Sequence, residues 1–235
     1  YPEIDLVTTP DGSLVAMVHC NNCTSDINAW VNLFVEYSLL MGQPVNKGEL
    51  FTRLFRAALE GDPDCGGLLS FNYFSGEGVT DLNEGRPLFL RRPDARFTLS
   101  NFMRTHLLSA LATLKIGLDI LTETEQVKID RLMGHGGFFK TPEVGQRLLS
   151  AAVNAPVTVM ETAGEGGPYG MALLAAYMLW RDKSESLADY LDDKVFKNAA
   201  TTTLTAGKVD SEGFAWFLNQ YKAALPVERL STEVF

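Results

Sequence analysis

The chain is poor in the residues that mark several classes of protein. Only three cysteines occur among the 235 residues, an odd and sparse set that is typical of a reducing compartment: Cys20, Cys23 and Cys65. No basic start followed by an apolar segment and a small-residue cleavage site is present, so nothing in the sequence suggests secretion. We therefore predict a cytoplasmic location.

Positive charge and long apolar runs are also scarce. Twenty Lys and Arg face 29 Asp and Glu, which gives a net charge of -9 at pH 7, and no run of Lys or Arg exceeds two residues. A nucleic-acid-binding surface needs a basic patch, so we expect no nucleic-acid partner. The apolar stretch from Met171 to Trp180 is far shorter than the roughly 20 residues of a membrane span. We therefore expect no membrane partner either.

What the chain does contain is enough apolar material for a large core. Hydrophobic residues make up 46% of the sequence, which suffices for one large domain or two small ones. The chain opens with Tyr1 instead of Met, and its first residues already favour a strand. We therefore expect the sequence to be a piece of a longer protein. Nothing in it indicates the oligomeric state.

The first half of the chain alternates strand and helix signals. β-favouring residues at 5–8 and 14–20, separated by Pro10-Asp11-Gly12, predict a hairpin. Apolar residues at helical spacing predict two amphipathic helices and a third, buried one, and short extended runs predict two further strands. The predicted helices run from Ser25 or Asp26 to near Gly42, over 47–59 and over 99–121, and the predicted strands cover 68–74 and 87–90.

The second half twice repeats a strand, a glycine-rich loop and a helix. The first unit has a strand at 128–133, the loop Gly134-His135-Gly136-Gly137 and a helix at 142–152. The second has a strand at 157–160, the loop Gly164-Glu165-Gly166-Gly167 and a helix at 169–180. Two consecutive units of this kind predict an α/β layer with parallel strands. The tail from Asp182 is charged and then mostly helical, with a loop at 201–203 and an apolar face at Phe214, Phe217, Leu218 and Tyr221.

The first glycine loop has features of a ligand site. Thr141 can cap the following helix and Pro142 can occupy its first position, so free N–H groups and the positive end of the helix dipole would face the loop. Gly136 and Gly137 lack the Cβ atoms that would hold a ligand away from the backbone. The geometry suits a nucleotide, and the second glycine loop should lie at the same sheet edge. Tight packing of strand on helix would explain the same glycines, so both interpretations stay open.

Two nucleotide-binding motifs are missing. No G-K-[ST] with the required spacing follows the glycines, which excludes a P-loop enzyme. The strict G-x-G-x-x-G frame of dinucleotide-binding proteins is absent as well.

The order of these segments resembles the C-terminal half of the FGGY carbohydrate kinases, such as xylulose kinase, ribulokinase and glycerol kinase. The matching segments are Gly136-Gly137-Phe138-Phe139-Lys140-Thr141-Pro142, Gln146, Pro156-Val157, Glu161-Thr162 and residues 167–176. Residues 71–85, with Ser75-Gly76-Glu77, and the long helix within 97–121 match the family in position. The resemblance covers most of residues 14–180.

The resemblance implies an α/β, ribonuclease H-like domain of the actin-like ATPase superfamily, with extra helices. In that superfamily two such domains close on ATP and sugar, and this chain would be the second. The full-length kinase would transfer the γ-phosphoryl group of ATP, with Mg²⁺, to a hydroxyl of a ketose or polyol. The catalytic base and most sugar contacts would lie in an N-terminal domain, so we assign no catalytic residue here. We place the nucleotide-binding domain at 1–181 and a helical extension, packed on it, at 182–235.

Five residues receive nucleotide-binding roles from the resemblance. Gly136 and Gly137 would let the adenosine approach closely, Phe138 would stack beside it, and Thr141 would make a polar contact. Gly85 would be the first of two glycines near the terminal phosphates.

Phe89 stands where the second of those glycines is expected. This departure questions the phosphate contact and favours an alternative function, a nucleotide-binding or interaction module that has lost phosphoryl transfer. Arg86 or Arg91 could compensate by pairing with a phosphate, or could be an ordinary solvated or ion-paired residue.

Other polar residues permit more than one interpretation. His19-Cys20-Asn21-Asn22-Cys23 could suggest zinc, but a structural zinc site needs four ligands and no second pair lies near in sequence, so we predict no metal. Asn21 and Asn22 fit turn residues or phosphate or sugar contacts. His135 fits a loop hydrogen bond better than a general base. Glu161 could bind a ribose hydroxyl or cap its loop.

Overall fold

Within the residues that the computed structural model describes, 1–234, the strands form three separate sheets. The hairpin pairs β1 (Ile4–Thr8) with β2 (Leu14–Val18), and a second antiparallel pair joins β3 (Leu68–Asn72) to β4 (Pro87–Arg91). In the third sheet, β6 (Val157–Met160) pairs in parallel with β5 (Leu132–Gly134) and antiparallel with β7 (Thr201–Leu204). The predicted hairpin and the predicted parallel pairing of the two strand–loop–helix units are confirmed.

Helices surround these sheets and follow the predicted order. They are α1 (Ser25–Leu40), α2 (Lys47–Ala57), α3 (Leu99–Asp119), α4 (Val144–Val153), α5 (Gly166–Trp180), α6 (Leu187–Tyr190) and α7 (Lys208–Val234). The predicted first three helices are confirmed within a few residues at each end. None of the helices in the described part of the chain combines the length and the apolarity needed to cross a bilayer.

The core forms around α3, which is buried almost continuously from Asn101 to Thr113. Its fully buried Met103, Leu107 and Leu108 belong to one apolar cluster with side chains from β3, α2, α4 and α7. The predicted apolar face of α7 is confirmed, because all four of its members are buried: Phe214, Phe217, Leu218 and Tyr221. The last helix therefore shares the core of the first ones. The proposed domain boundary at residue 181 stays a prediction.

Three local predictions are wrong. Residues 201–203 form a strand instead of a loop, because the threonines pair with β6. The hydroxyl groups of Thr158 and Thr203 lie 2.8 Å apart, although these residues are 45 positions apart in sequence. The helix α5 begins at Gly166 rather than Tyr169, so Gly166 and Gly167 belong to a helix and only Gly164 remains in the second loop. The first of the two strands is also shorter than predicted, since β5 begins at Leu132.

The start of α4 differs from the prediction as well. The helix begins at Val144, and its N-cap residue is Glu143, with φ of 73°. Thr141 is therefore not the helix cap and Pro142 is not the first helical residue, because a 3₁₀ turn at Gly137–Phe139 and a bend at 140–143 occupy the connection.

Candidate functional site

The two glycine loops meet beyond the carboxyl ends of β5 and β6. The Gly136 N–H donates to the carbonyl of Ala163 over 2.7 Å, and the chain then enters its 3₁₀ turn. Gly136 has φ of 96°, which favours glycine because side chains with a Cβ rarely adopt it. A Cβ added at Gly164 would lie 3.2 Å from Cε of Lys140. The first loop therefore packs against the second, and the Gly136 N–H makes its hydrogen bond within the protein.

A cavity of about 400 Å³ opens on one side of the first loop. The loop contributes Gly137, Phe138, Lys140 and Thr141, and the facing wall comes from the starts of α1 and α2. The facing residues are Thr24, Asn28, Gly48, Phe51, Thr52 and Phe55. A Cβ at Gly137 would meet nothing within 4 Å, so open space lies beside this glycine.

The N-terminus of α1 borders the same cavity. Thr24, its N-cap residue, lines the cavity and makes no capping hydrogen bond with its side chain. The first N–H groups of a helix and the positive end of its dipole are a suitable site for a phosphate group. Asn28 lies one turn further along and adds an amide that can donate and accept hydrogen bonds. The cavity thus places the N-terminus of a helix beside a partly apolar wall.

The structure brings three of the five predicted site residues to this cavity. Gly137, Phe138 and Thr141 line it, whereas Gly136 lies just before them in the loop. Phe138 is 8% exposed, and its ring centroid lies 6.2 Å from that of Phe55 and 5.5 Å from that of Phe139. Its ring is thus held largely by other aromatic rings, and stacking on an adenosine stays a prediction.

Gly85 lies elsewhere. It is buried against the end of β3, where an added Cβ would lie 2.5 Å from Cβ of Tyr73 and 2.6 Å from the carbonyl oxygen of Ser75. Close packing therefore accounts for this glycine, and its predicted phosphate contact stays a prediction. The neighbouring Arg86 donates to the carboxylate of Glu84 over 3.1 Å and, through its backbone N–H, to Glu228 over 2.7 Å.

Phe89 belongs to β4 and to an aromatic cluster. Its ring centroid lies 6.5 Å from that of Trp30, 5.3 Å from that of Phe102 and 5.9 Å from that of His106. Packing in this cluster explains why an aromatic residue stands here. The guanidinium group of Arg91 lies 4.8 Å from the ring centre of Phe97, on the same surface.

A second cavity, of about 570 Å³, lies on the other side of the first loop. Glu161 and Thr162 line it together with Thr201 and Thr202 of β7. Glu161 therefore belongs to a different cavity from Gly137, and its role toward a ribose stays a prediction. His135 packs beside Gly166 at the start of α5. A Cβ added at Gly166 would lie 3.4 Å from Cβ of His135.

The segment that could have suggested zinc serves as a connector. Within residues 1–234, no group of three or more His, Cys, Asp or Glu side chains is placed to hold a metal ion. Burial, with a contribution from the Glu77 carboxylate, raises the pKa of Cys20 to about 12, so this thiol is protonated at neutral pH. Asn21 and Asn22 donate hydrogen bonds to the loop at Ser75-Gly76, and thus do more than form a turn.

The model of the C-terminal domain of the FGGY family of carbohydrate kinases matches residues 2–179. The chain belongs to the FGGY family of carbohydrate kinases. Both the family and the fold class, a domain of the actin-like ATPase fold, are confirmed.

Solved kinase structures share the fold of this FGGY domain. The xylulose kinase from Rhodospirillum rubrum matches 97% of the chain with a TM-score of 0.70 at 17% identity, and ligand-bound xylulose kinase from Lactobacillus acidophilus matches 96% with 0.66 at 14%. Plasmodium falciparum glycerol kinase with ADP matches 85% with 0.51 at 16%. The chain covers only 43%, 43% and 37% of these proteins, respectively, which is less than half of each. No curated protein sequence matches the chain.

The wall that faces the first loop across the 400 Å³ cavity was not predicted from the sequence. Thr24 is the N-cap residue of α1, Asn28 belongs to α1 and Thr52 to α2, and all three lie far from the glycine loop in sequence. The available signal was the Asn21-Asn22 pair after a strand and before a helix, which kept a phosphate role open.

Proposed function

We propose that this chain is the nucleotide-binding half of a carbohydrate kinase, with ATP or ADP in the cavity between α1, α2 and the loop at 137–141. One observation carries the proposal: the open side of Gly137 and the uncapped start of α1 at Thr24 border the same 400 Å³ space. The glycine admits a flat nucleoside close to the backbone, and the helix N-terminus attracts phosphates.

The residues of the cavity fit a nucleotide in size and chemistry. Cavities of roughly 300–1,000 Å³ commonly hold small ligands, and this one falls in that range. Phe51 and Phe55 supply an apolar wall for a base, whereas Thr24, Thr52 and Thr141 supply hydroxyl groups. The solved glycerol kinase with ADP, which has a similar fold, supports the choice of an adenine nucleotide.

The reaction of the complete kinase is phosphoryl transfer to a ketose or polyol hydroxyl, as in the xylulose kinases that share the fold. ATP would supply the γ-phosphoryl group, and bound Mg²⁺ would neutralise the charge that develops on it. Within residues 1–234, no group of three metal-ligating side chains is present, and we assign no residue of this chain to Mg²⁺. The catalytic base and most sugar contacts belong to an N-terminal domain, and the protein acts in the cytoplasm.

A nucleotide-binding module without phosphoryl transfer is the weaker candidate. It depended on the aromatic residue at position 89, and Phe89 packs in the aromatic cluster of β4 and α3. A coupled ADP-release assay with pentuloses and polyols, on a protein that includes the N-terminal domain, separates the two functions. Sugar-dependent turnover supports the kinase, and nucleotide binding without turnover supports the module.

Calorimetric titration of the chain with ADP tests the binding site. Wild type should bind with one site per chain, and Gly137→Arg should weaken binding more than about tenfold because the new side chain fills the cavity. Gly207→Arg is the matched control, since Gly207 also has open space around it but lies before α7. Equal affinities of wild type and Gly137→Arg would contradict the proposed site.

A further inference from the structure

Asn22 and Glu77 form a buried polar pair behind the start of α1. Asn22 is 4% exposed and Glu77 is fully buried. One oxygen of the Glu77 carboxylate, Oε2, accepts from the backbone N–H of Asn22 over 3.1 Å and from its side-chain amide over 3.2 Å. The two residues are 55 positions apart in sequence, so the pair joins distant segments.

The Asn22 side-chain amide also forms hydrogen bonds with residues that follow β3 and precede Glu77. Its Oδ1 accepts from the backbone N–H of Phe74 over 2.9 Å and of Ser75 over 3.2 Å, and its Nδ2 donates to the carbonyl of Ser75 over 3.1 Å. Asn21 adds a bond of 2.9 Å to the carbonyl of Gly76. One asparagine thus binds this loop through both its donor and its acceptor.

We infer that Asn22 and Glu77 are positioning residues of the nucleotide site, which set the β2–α1 connection and thereby the start of α1. The inference rests on the proposed function. Thr24, which lines the cavity, lies only two residues after Asn22, and Asn72 holds the carbonyl of the intervening Cys23 through its side-chain amide. A shift of this connection would move the helix N–H groups that we assign to the phosphates.

The chemistry of Glu77 favours a functional reason for the pair. The second carboxylate oxygen, Oε1, is buried and has no hydrogen-bond partner among the described residues. A buried oxygen without a hydrogen-bond partner costs free energy, so stability alone does not account for the pair. The β2–α1 connection needs an acceptor at the position of Oε2, which both Asn22 donors contact.

Four variants of the chain test the inference by ADP calorimetry and urea unfolding. Glu77→Ala removes the acceptor of both Asn22 donors and should weaken ADP binding about tenfold. Glu77→Gln keeps a carbonyl for those donors and should bind ADP within about threefold of wild type. Asn22→Asp keeps the acceptor for Phe74 and Ser75 but removes the amide donor to Glu77 and sets a second carboxyl group against it, and should also weaken binding about tenfold.

Ser150→Ala is the matched control. Ser150 is 1% exposed and also makes two hydrogen bonds, to the carbonyl of Ala155 over 2.7 Å and from the N–H of Ala206 over 2.8 Å. It lies near the end of α4 and does not line the 400 Å³ cavity. This variant should lose stability as Glu77→Ala does, while its ADP affinity stays within about twofold of wild type.

The outcomes distinguish this inference from the proposed function. If wild type does not bind ADP, the proposed function fails. If wild type binds and Glu77→Ala and Asn22→Asp bind equally well, only the positioning role is overturned. An equal loss of affinity in Ser150→Ala, or a tenfold loss in Glu77→Gln, also overturns it. Unfolding of both Glu77→Ala and Asn22→Asp would assign the pair to stability alone.

Discussion

Asp210 joins three helices of the core through its charge. Its carboxylate, on α7, lies 2.8 Å from Nη2 of Arg104 on α3 and 2.8 Å from Nη2 of Arg147 on α4. Arg104 is 1% exposed and Asp210 is 6% exposed, so this pair is shielded from water, whereas the Arg147 side chain is 46% exposed. A buried ion pair adds little stability relative to apolar residues, but the removal of one partner leaves a costly unpaired charge.

Asp210→Asn should therefore lower the free energy of unfolding by about 3–5 kcal/mol, because the Arg104 guanidinium stays buried without its counter-ion. Asp94→Asn is the control: its partner Arg92 lies 3.4 Å away and both side chains are largely exposed, so the expected loss is about 0–1 kcal/mol. Urea unfolding at pH 7 measures both values. Equal losses would show that the three-helix interaction does not stabilise the fold.

The pH dependence of stability gives a second test of Asp210. Burial acts to raise the pKa of this carboxyl, but hydrogen bonds and charges from Arg104 and Arg147 outweigh burial and lower the pKa below its usual value. Asp210 therefore stabilises the folded state above the unfolded-state pKa, near about 4, and this contribution is lost as the pH falls through the lowered folded-state pKa. Between about pH 5 and pH 2, stability should fall more steeply in wild type than in Asp210→Asn. Parallel pH profiles would contradict this assignment.

Single residues also show the limit of sequence reasoning about the site. Gly137 and Thr141 could be predicted as cavity residues because the loop pattern is local. Asn28 and Thr52 could not, since their helices reach the cavity only through tertiary packing. Glu77 was identified only as part of the segment Ser75-Gly76-Glu77. Its burial next to Asn22 depends on a contact between residues that are 55 positions apart in sequence.

Among the helices, α5 is the one whose packing departs from its composition. It is apolar on all sides, yet none of its described side chains is buried, and Met178 is 79% exposed. An all-apolar helix is normally covered. By contrast, α3 is buried as its apolar composition predicts.

A matched pair of methionines tests this difference. Met103→Ala in α3 should cost about 2–5 kcal/mol, because Met103 is completely buried and its removal leaves a cavity. Met178→Ala in α5 should change stability by less than about 0.5 kcal/mol. Thermal or urea unfolding of the chain compares the two. A large cost for Met178→Ala would mean that α5 packs on another surface in solution.

Elements with a strong local pattern were predicted well from the sequence. The hairpin has a turn sequence, Pro10-Asp11-Gly12, between two β-favouring runs, and α3 has a long apolar stripe. The start of α4 was predicted wrongly, because Thr141-Pro142 has the sequence of a helix start but the turn at Gly137–Phe139 delays it. The strand β7 was missed because its threonines are ordered by pairing with a distant strand.

We propose that the chain as a whole presents one side of a nucleotide site. It spans less than half the length of the kinases that share its fold, and no catalytic base is assigned within it. We therefore propose nucleotide binding for this chain and the choice of sugar for an N-terminal domain. Because ADP would bind the folded state, it should also stabilise that state, by about 2.7 kcal/mol at a hundredfold excess over Kd.

A crystal structure of the chain with ADP tests the central claim most directly. We predict electron density for the adenosine beside Gly137, between the loop at 137–141 and the start of α2, with the phosphates at the N-terminus of α1 near Thr24. Density for ADP in the other cavity, beside Glu161 and Thr202, or a cavity that stays empty at saturating ADP, would contradict it.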